Sequence, residues 1–96
     1  MRIYVDIDGT LTDDPENKWG NIIISRVKKV KEFIDEGHEV VIWSGNGTDY
    51  ANEFCKFLDI KPYVAVGKPD IYIDDRVDIR SPGKLNFESP EYLNGE

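Results

Sequence analysis

Six polar side chains stand where apolar runs give way to turns: Asp6 and Asp8, then Ser44 and Lys68, and last Asp74 and Asp75. These residue types could transfer a phosphoryl group. Cleaving a phosphate ester needs a nucleophile, an acid for the departing oxygen and positive charge for the phosphoryl oxygens. Asp6 and Asp8 are two apart, so along a strand they face the same way. Gly9 behind them lets the backbone turn tightly and bring both carboxylates to one crevice. One could attack phosphorus while the other protonates the leaving oxygen and then activates water. Ser44 could donate its hydroxyl to a phosphoryl oxygen, and the amides of Gly45 and Asn46 could add more. Lys68 could supply the fixed positive charge. Asp6, Asp8, Asp74 and Asp75 together would repel one another without a cation, and Mg²⁺, a hard ion with oxygen ligands, is the natural remedy.

The elements that must position these groups follow from pattern. Residues 1–7 read as a short buried strand with Ile3, Val5 and Ile7 pointing one way. Residues 9–21 are turn-rich, with Asp13-Asp14-Pro15 and Trp19-Gly20 as breakers, and read as a loop or small hairpin. Asp13, Asp14 and Glu16 read as an exposed acidic turn. Ser25 is placed to cap a helix to about Glu36, with Val27, Val30, Phe33 and Ile34 on one face and Gly37 at its stop. A second strand covers 39–43 and ends at Ser44. After the turn Gly45-Asn46-Gly47, Thr48 is placed to cap a helix to about Leu58. Its inward face would hold Ala51, Phe54, Cys55 and either Phe57 or Leu58. Residues 63–66 and 71–73 read as two more short strands, the last ending at Asp74-Asp75.

This order predicts an α/β fold, a Rossmann-like three-layer sandwich with a short, mainly parallel sheet. It would form one domain over residues 1–96, with a tail from about 81 that is irregular or holds one short helix. The C-terminal ends of parallel strands share one edge, where ligands bind, so residues distant in sequence would meet there.

The 96 residues are 40% hydrophobic and 11% aromatic, ordinary values for a folded chain rather than a disordered one. A net charge of -7 disfavours nucleic-acid and membrane partners and points to a small phosphorylated molecule. With Cys55 as the single cysteine, no intrachain disulfide can form. The start shows no signal pattern, and no apolar run reaches the roughly 20 residues that span a bilayer. A cytoplasmic location is expected. An EF-hand loop is excluded because Gly9 comes two positions too early.

In type and order these residues resemble the haloacid dehalogenase (HAD) superfamily, over nearly everything from residue 1 to about 78. Asp6-Ile7-Asp8-Gly9-Thr10-Leu11 resembles its first motif, Ser44 after Val40-Val41-Ile42-Trp43 its second, Lys68 its third and Asp74-Asp75 its fourth. The resemblance implies that Asp6 is the nucleophile, forming an aspartyl-phosphate, and also a Mg²⁺ ligand. Asp8 would be the general acid and base and lend its backbone carbonyl to the metal. Asp74 would bind the metal directly, and Asp75 through water. An aspartate at position 8 is what phosphatases of the superfamily have and dehalogenases lack. Gly67-Lys68-Pro69 close before Ile73-Asp74-Asp75-Arg76 is also similar to small members acting in polysaccharide biosynthesis.

Two features depart from the family pattern. Only residues 69–73 separate Lys68 from Asp74, where members often place a helix, so Arg76 or Lys84 are alternative cations. The intervals between motifs also leave no room for a cap domain. An open crevice would then admit a large substrate or be completed by a second subunit, with Trp19 as part of a small lid.

Plainer readings stand beside these. Ser44 could be a strand-end hydroxyl, Lys68 a surface lysine, and Asp75 a partner of Arg76 or Lys84. His38 reads as a surface turn residue and Cys55 as a buried helix residue. Phe87 and Tyr92 would cover the sheet or a subunit contact. Against a phosphomonoesterase for small metabolites stand three alternatives. One is a phosphatase of nucleic-acid ends. Another is a receiver-type phospho-acceptor, whose adjacent acidic pair would come on the first strand rather than last. The third is an inactive module, which would have lost Asp6 or Asp8.

Overall fold

A computed structural model describes residues 1–14, 20–71, 73, 75 and 89–94. Three strands, β1 (Arg2–Asp6), β2 (Glu39–Ser44) and β3 (Val64–Gly67), form a parallel sheet in the order β1-β2-β3. Helix α1 (Ile24–Asp35) joins the first two strands, and α2 (Thr48–Leu58) joins the second and third. The α/β class and the parallel sheet are as the sequence predicts.

Register explains the core. Val5 pairs with Ile42, and Ile42 with Ala65, so these three lie on one face of the sheet, with Val40 two residues before Ile42. They share a buried cluster with Val27, Val30 and Phe33 of α1 and with Ala51, Phe54 and Cys55 of α2. Both helices therefore pack on the same face. The opposite face carries Tyr4, Val41 and Trp43, and Asp6 belongs to it, being the register partner of Trp43.

The helix ends follow from local chemistry. At the end of α1, Gly37 has a φ of +94°, its N–H donates to the Ile34 carbonyl, and the His38 N–H donates to the Phe33 carbonyl. This 6→1 and 5→2 pair closes the helix and needs the left-handed backbone that glycine adopts freely. The start differs from expectation. The residue preceding α1 is Ile23, without a side-chain cap, and Ser25 lies inside the helix. The reason is the antiparallel bridge between Thr12 and Ile22, with the Ile23 N–H donated to the Leu11 carbonyl, which delivers the chain to the helix two residues early.

Thr48 is likewise not a cap. Gly47 precedes α2, and the Thr48 hydroxyl accepts the Gly67 N–H at 3.0 Å. On the inward face of α2, Phe57 is 65% exposed, and Leu58 is the one that packs against the core.

No fourth strand appears among the described residues. Ile71 and Ile73 lie outside any strand and are exposed. Only Lys68-Pro69-Asp70 separate Gly67 from Ile71, too few for the crossover of a dozen or more residues that a parallel neighbour needs. In the tail, Pro90–Asn94 forms a 3₁₀ turn that buries Leu93 in the core cluster and leaves Tyr92 53% exposed. Asp74, Trp19, Glu16, Arg76, Lys84 and Phe87 lie outside the described residues. Among the described residues no helix is long and apolar enough to cross a membrane.

Candidate active site

The first element of the site is the turn that ends β1. The Ile7 carbonyl accepts the N–H groups of Thr10, Leu11 and Thr12 at 3.0, 2.7 and 3.2 Å. Gly9, at a φ of +85°, makes this curl possible. Ile7, Leu11 and Thr12 are fully buried, which anchors the turn from below. Asp6 and Asp8 stand on this pinned backbone, both half-buried.

Each carboxylate has its own partners. Lys68 Nζ lies 3.1 Å from Asp6 Oδ1, and the Thr10 hydroxyl donates to Asp6 Oδ2 at 3.3 Å. Asp8 is held elsewhere: the Tyr50 hydroxyl donates to its Oδ1 at 2.6 Å and the Asn46 side-chain amide to its Oδ2 at 2.9 Å. Two carboxylates that repel if left bare thus have different partners among the described residues, Lys68 and Thr10 for Asp6, Tyr50 and Asn46 for Asp8.

Ser44 joins the turn after β2 to the end of β3. Its carbonyl accepts the N–H of Gly47 and that of Lys68, the latter at 2.8 Å, which fixes the Lys68 backbone at the strand edge. The Ser44 side chain is buried, and its Oγ accepts the Asn46 N–H at 3.0 Å. That amide therefore points back to Ser44 rather than outward, and the side chain of Asn46 is what reaches the Asp8 carboxylate. Gly45 is exposed in the same turn.

Several residues that matter here carry no isolated sequence signal. Thr10 lies within the Asp6–Leu11 segment, where nothing in the sequence singles out its hydroxyl as the partner of Asp6. Tyr50 sits in the first turn of α2, and helix N-terminal turns in such folds abut the strand edge, which is the signal that could have marked it. Asp13, expected as plain acidic surface, accepts both the backbone and side-chain N–H groups of Asn21 at 2.9 and 3.1 Å and so ties the hairpin. Arg26 donates to the Thr10 carbonyl and to Asn94 Oδ1, linking the site turn to the tail.

The arrangement brings Asp6, Asp8, Ser44, Asn46 and Lys68 to one edge. The model of the family described as haloacid dehalogenase-like hydrolase matches residues 3–67. The chain belongs to this family. The HAD-like match spans Asp6, Asp8 and Ser44 and stops immediately before Lys68. No curated protein and no solved structure matches the chain. As a HAD-like hydrolase it cleaves bonds with water, and α/β architecture with chemistry at the strand ends is the arrangement described above.

HAD-like hydrolases generally use Mg²⁺. Among the described residues no three acidic, histidine or cysteine side chains form a group that could hold a metal. Asp75 is exposed, and Asp74 lies outside the described residues. The donors present at the end of β1 are carboxylate and backbone carbonyl oxygens, the hard ligands that Mg²⁺ takes, often only one or two from protein. In donor chemistry they fit.

Cys55 takes no part. It is buried on α2, and burial pushes its thiol up to about 11.

Proposed function

We propose that this HAD-like hydrolase is a Mg²⁺-dependent phosphomonoesterase acting through an aspartyl-phosphate on Asp6, with a small phosphorylated metabolite, such as a sugar phosphate or nucleotide, as substrate. The observation that carries the reading is the Asp6–Lys68 pair at 3.1 Å, with Asp8 two residues on and held by separate partners.

An Asp6 carboxylate oxygen attacks phosphorus, and the bond from phosphorus to the ester oxygen breaks. The departing oxygen keeps the electron pair and takes a proton from Asp8, giving the alcohol. A water then attacks phosphorus and passes its proton to Asp8, and the Asp6 carboxylate leaves. The net change is ester plus water to alcohol plus inorganic phosphate. Lys68 stays beside Asp6 and offsets negative charge on the phosphoryl oxygens. The Ser44 hydroxyl, which accepts from Asn46, keeps its own hydrogen to donate. The Asp6 carboxylate and the Asp8 carbonyl would hold Mg²⁺, with Asp74 and Asp75 as the further ligands the family pattern implies. When bound, the ion adds positive charge at the phosphoryl oxygens.

The test is release of phosphate from p-nitrophenyl phosphate. It should require Mg²⁺, stop on chelation, vanish in Asp6→Asn and fall strongly in Asp8→Asn. Full activity in Asp6→Asn refutes the nucleophile. Rates across sugar phosphates, nucleotides and 3′-phosphorylated oligonucleotides separate small substrates from nucleic-acid ends.

A further inference from the structure

We propose that Tyr50 is the positioning residue for the Asp8 carboxylate, gripping it together with Asn46 so that its proton is aimed at the leaving oxygen. This rests on the phosphomonoesterase reading above and adds a residue to it.

Asp8 lies in the turn beyond the end of β1. The backbone there is pinned through the Ile7 carbonyl, but that leaves the Asp8 side-chain torsions to be set by something else. Among the described residues two donors hold them. The Tyr50 hydroxyl meets one oxygen at 2.6 Å and the Asn46 amide meets the other at 2.9 Å. A planar carboxylate held at both oxygens cannot swing about either torsion without losing a bond. The donors come from adjoining parts of the chain, the turn after β2 and the first turn of α2. That helix is rigidly seated, with Ala51, Phe54 and Cys55 buried in the core.

The chemistry of the two donors differs. An amide N–H only donates. A phenol both donates and accepts. Here both donate, and a proton taken up by Asp8 cannot occupy a position that either donor's hydrogen already fills. Asp8 gains and loses its proton within one turnover, so the two donors hold it throughout and keep that proton off their own sides of the group.

A residue that merely braces the fold would affect all substrates alike. A residue that aims the acid shows, in kcat/KM, mainly on those whose leaving group needs a proton, because kcat/KM covers the steps up to that group's departure and not the later attack of water on the aspartyl-phosphate. Wild type and Tyr50→Phe are compared on p-nitrophenyl phosphate, whose leaving group departs readily unprotonated, and on alkyl phosphates, whose leaving groups do not. Tyr50→Phe should lower kcat/KM on alkyl phosphates by about 10- to 100-fold, part of the 10²–10⁴ that a positioned acid contributes. On p-nitrophenyl phosphate the loss in kcat/KM should stay within about threefold, because the acid contributes little to a departure that needs no proton.

Equal losses on both substrates, or none on either, overturn the proposal. If Tyr50→Phe fails to fold, Asn46→Ala, in an exposed turn, must show the same graded pattern. If the wild type hydrolyses no phosphomonoester at all, the phosphatase reading falls and this one with it. Hydrolysis with an ungraded loss sinks only the role of Tyr50.

Discussion

Lys68 Nζ reaches Asp6 Oδ1 at 3.1 Å although Asp6 ends β1, Lys68 follows β3, and β2 runs between them. Asp6 and Val66 flank Trp43 in register, and the ammonium lies 5.6 Å from the centre of the Trp43 ring on its way across. The indole face thus lies beneath the lysine as it spans the middle strand. The Lys68 backbone is fixed at the other end by the Ser44 carbonyl. A lysine only six residues before the acidic pair's first member is in this way brought to the first strand by sheet order.

Lys68→Ala should lower kcat for p-nitrophenyl phosphate by about 100-fold or more, the usual cost of removing one group that stabilises transition-state charge. Steady-state kinetics with a melting curve for each variant check this. Unchanged turnover would move the cationic role to another residue.

Gly67→Ala should disturb the same lysine indirectly. A Cβ at Gly67 would stand 3.0 Å from Gly47 Cα and 3.1 Å from the Thr48 nitrogen, both backbone atoms that cannot yield like a side-chain tip. The end of β3 or the start of α2 must then give by a few tenths of an ångström, straining the Gly67–Thr48 hydrogen bond. Overpacking of this kind costs about 1–3 kcal/mol. Urea melts should show that loss, and kcat should fall with it. A variant of wild-type stability and activity would mean the strand end has more freedom than the close approach suggests.

How far the sequence alone reached is visible residue by residue. Strong period-2 and period-3.6 patterns marked β1, β2, α1 and α2, because burial on one sheet face is what those patterns encode. Asp6, Ser44 and Lys68 were legible because strand ends announce themselves by a change from apolar to polar. Ser25 and Thr48 do not cap their helices, since what decides a helix start there is a tertiary contact, the Thr12–Ile22 bridge in one case and the Gly67 N–H in the other. A strand at 71–73 looked plausible from its apolar residues, but the three-residue link from Gly67 forbids a parallel partner. Tyr50 escaped notice because its role depends on α2 meeting the turn after β1, a relation no local window contains.

Cys55 should be inert to thiol reagents in the folded state. Its thiol is buried, and desolvation disfavours the thiolate, pushing it from 9.0 to about 11. Between those values the unfolded chain gives up the proton that the folded chain keeps. The folded state then binds more protons, so this contribution to stability is complete below pH 9.0 and is lost as pH rises towards 11. Reaction with a disulfide reagent should be slow in buffer and fast in denaturant. Urea midpoints of wild type should fall more steeply across that window than those of Cys55→Ala. Rapid labelling of the native protein would contradict the burial.

The most direct test of the account is where phosphorus resides during turnover. Wild-type enzyme hydrolysing p-nitrophenyl phosphate with Mg²⁺ is quenched rapidly in acid, digested and mapped by mass spectrometry. The account predicts one phosphoryl group on the peptide containing Asp6, absent in Asp6→Asn. A phosphoryl group on a different residue, or continued turnover in Asp6→Asn, would contradict it.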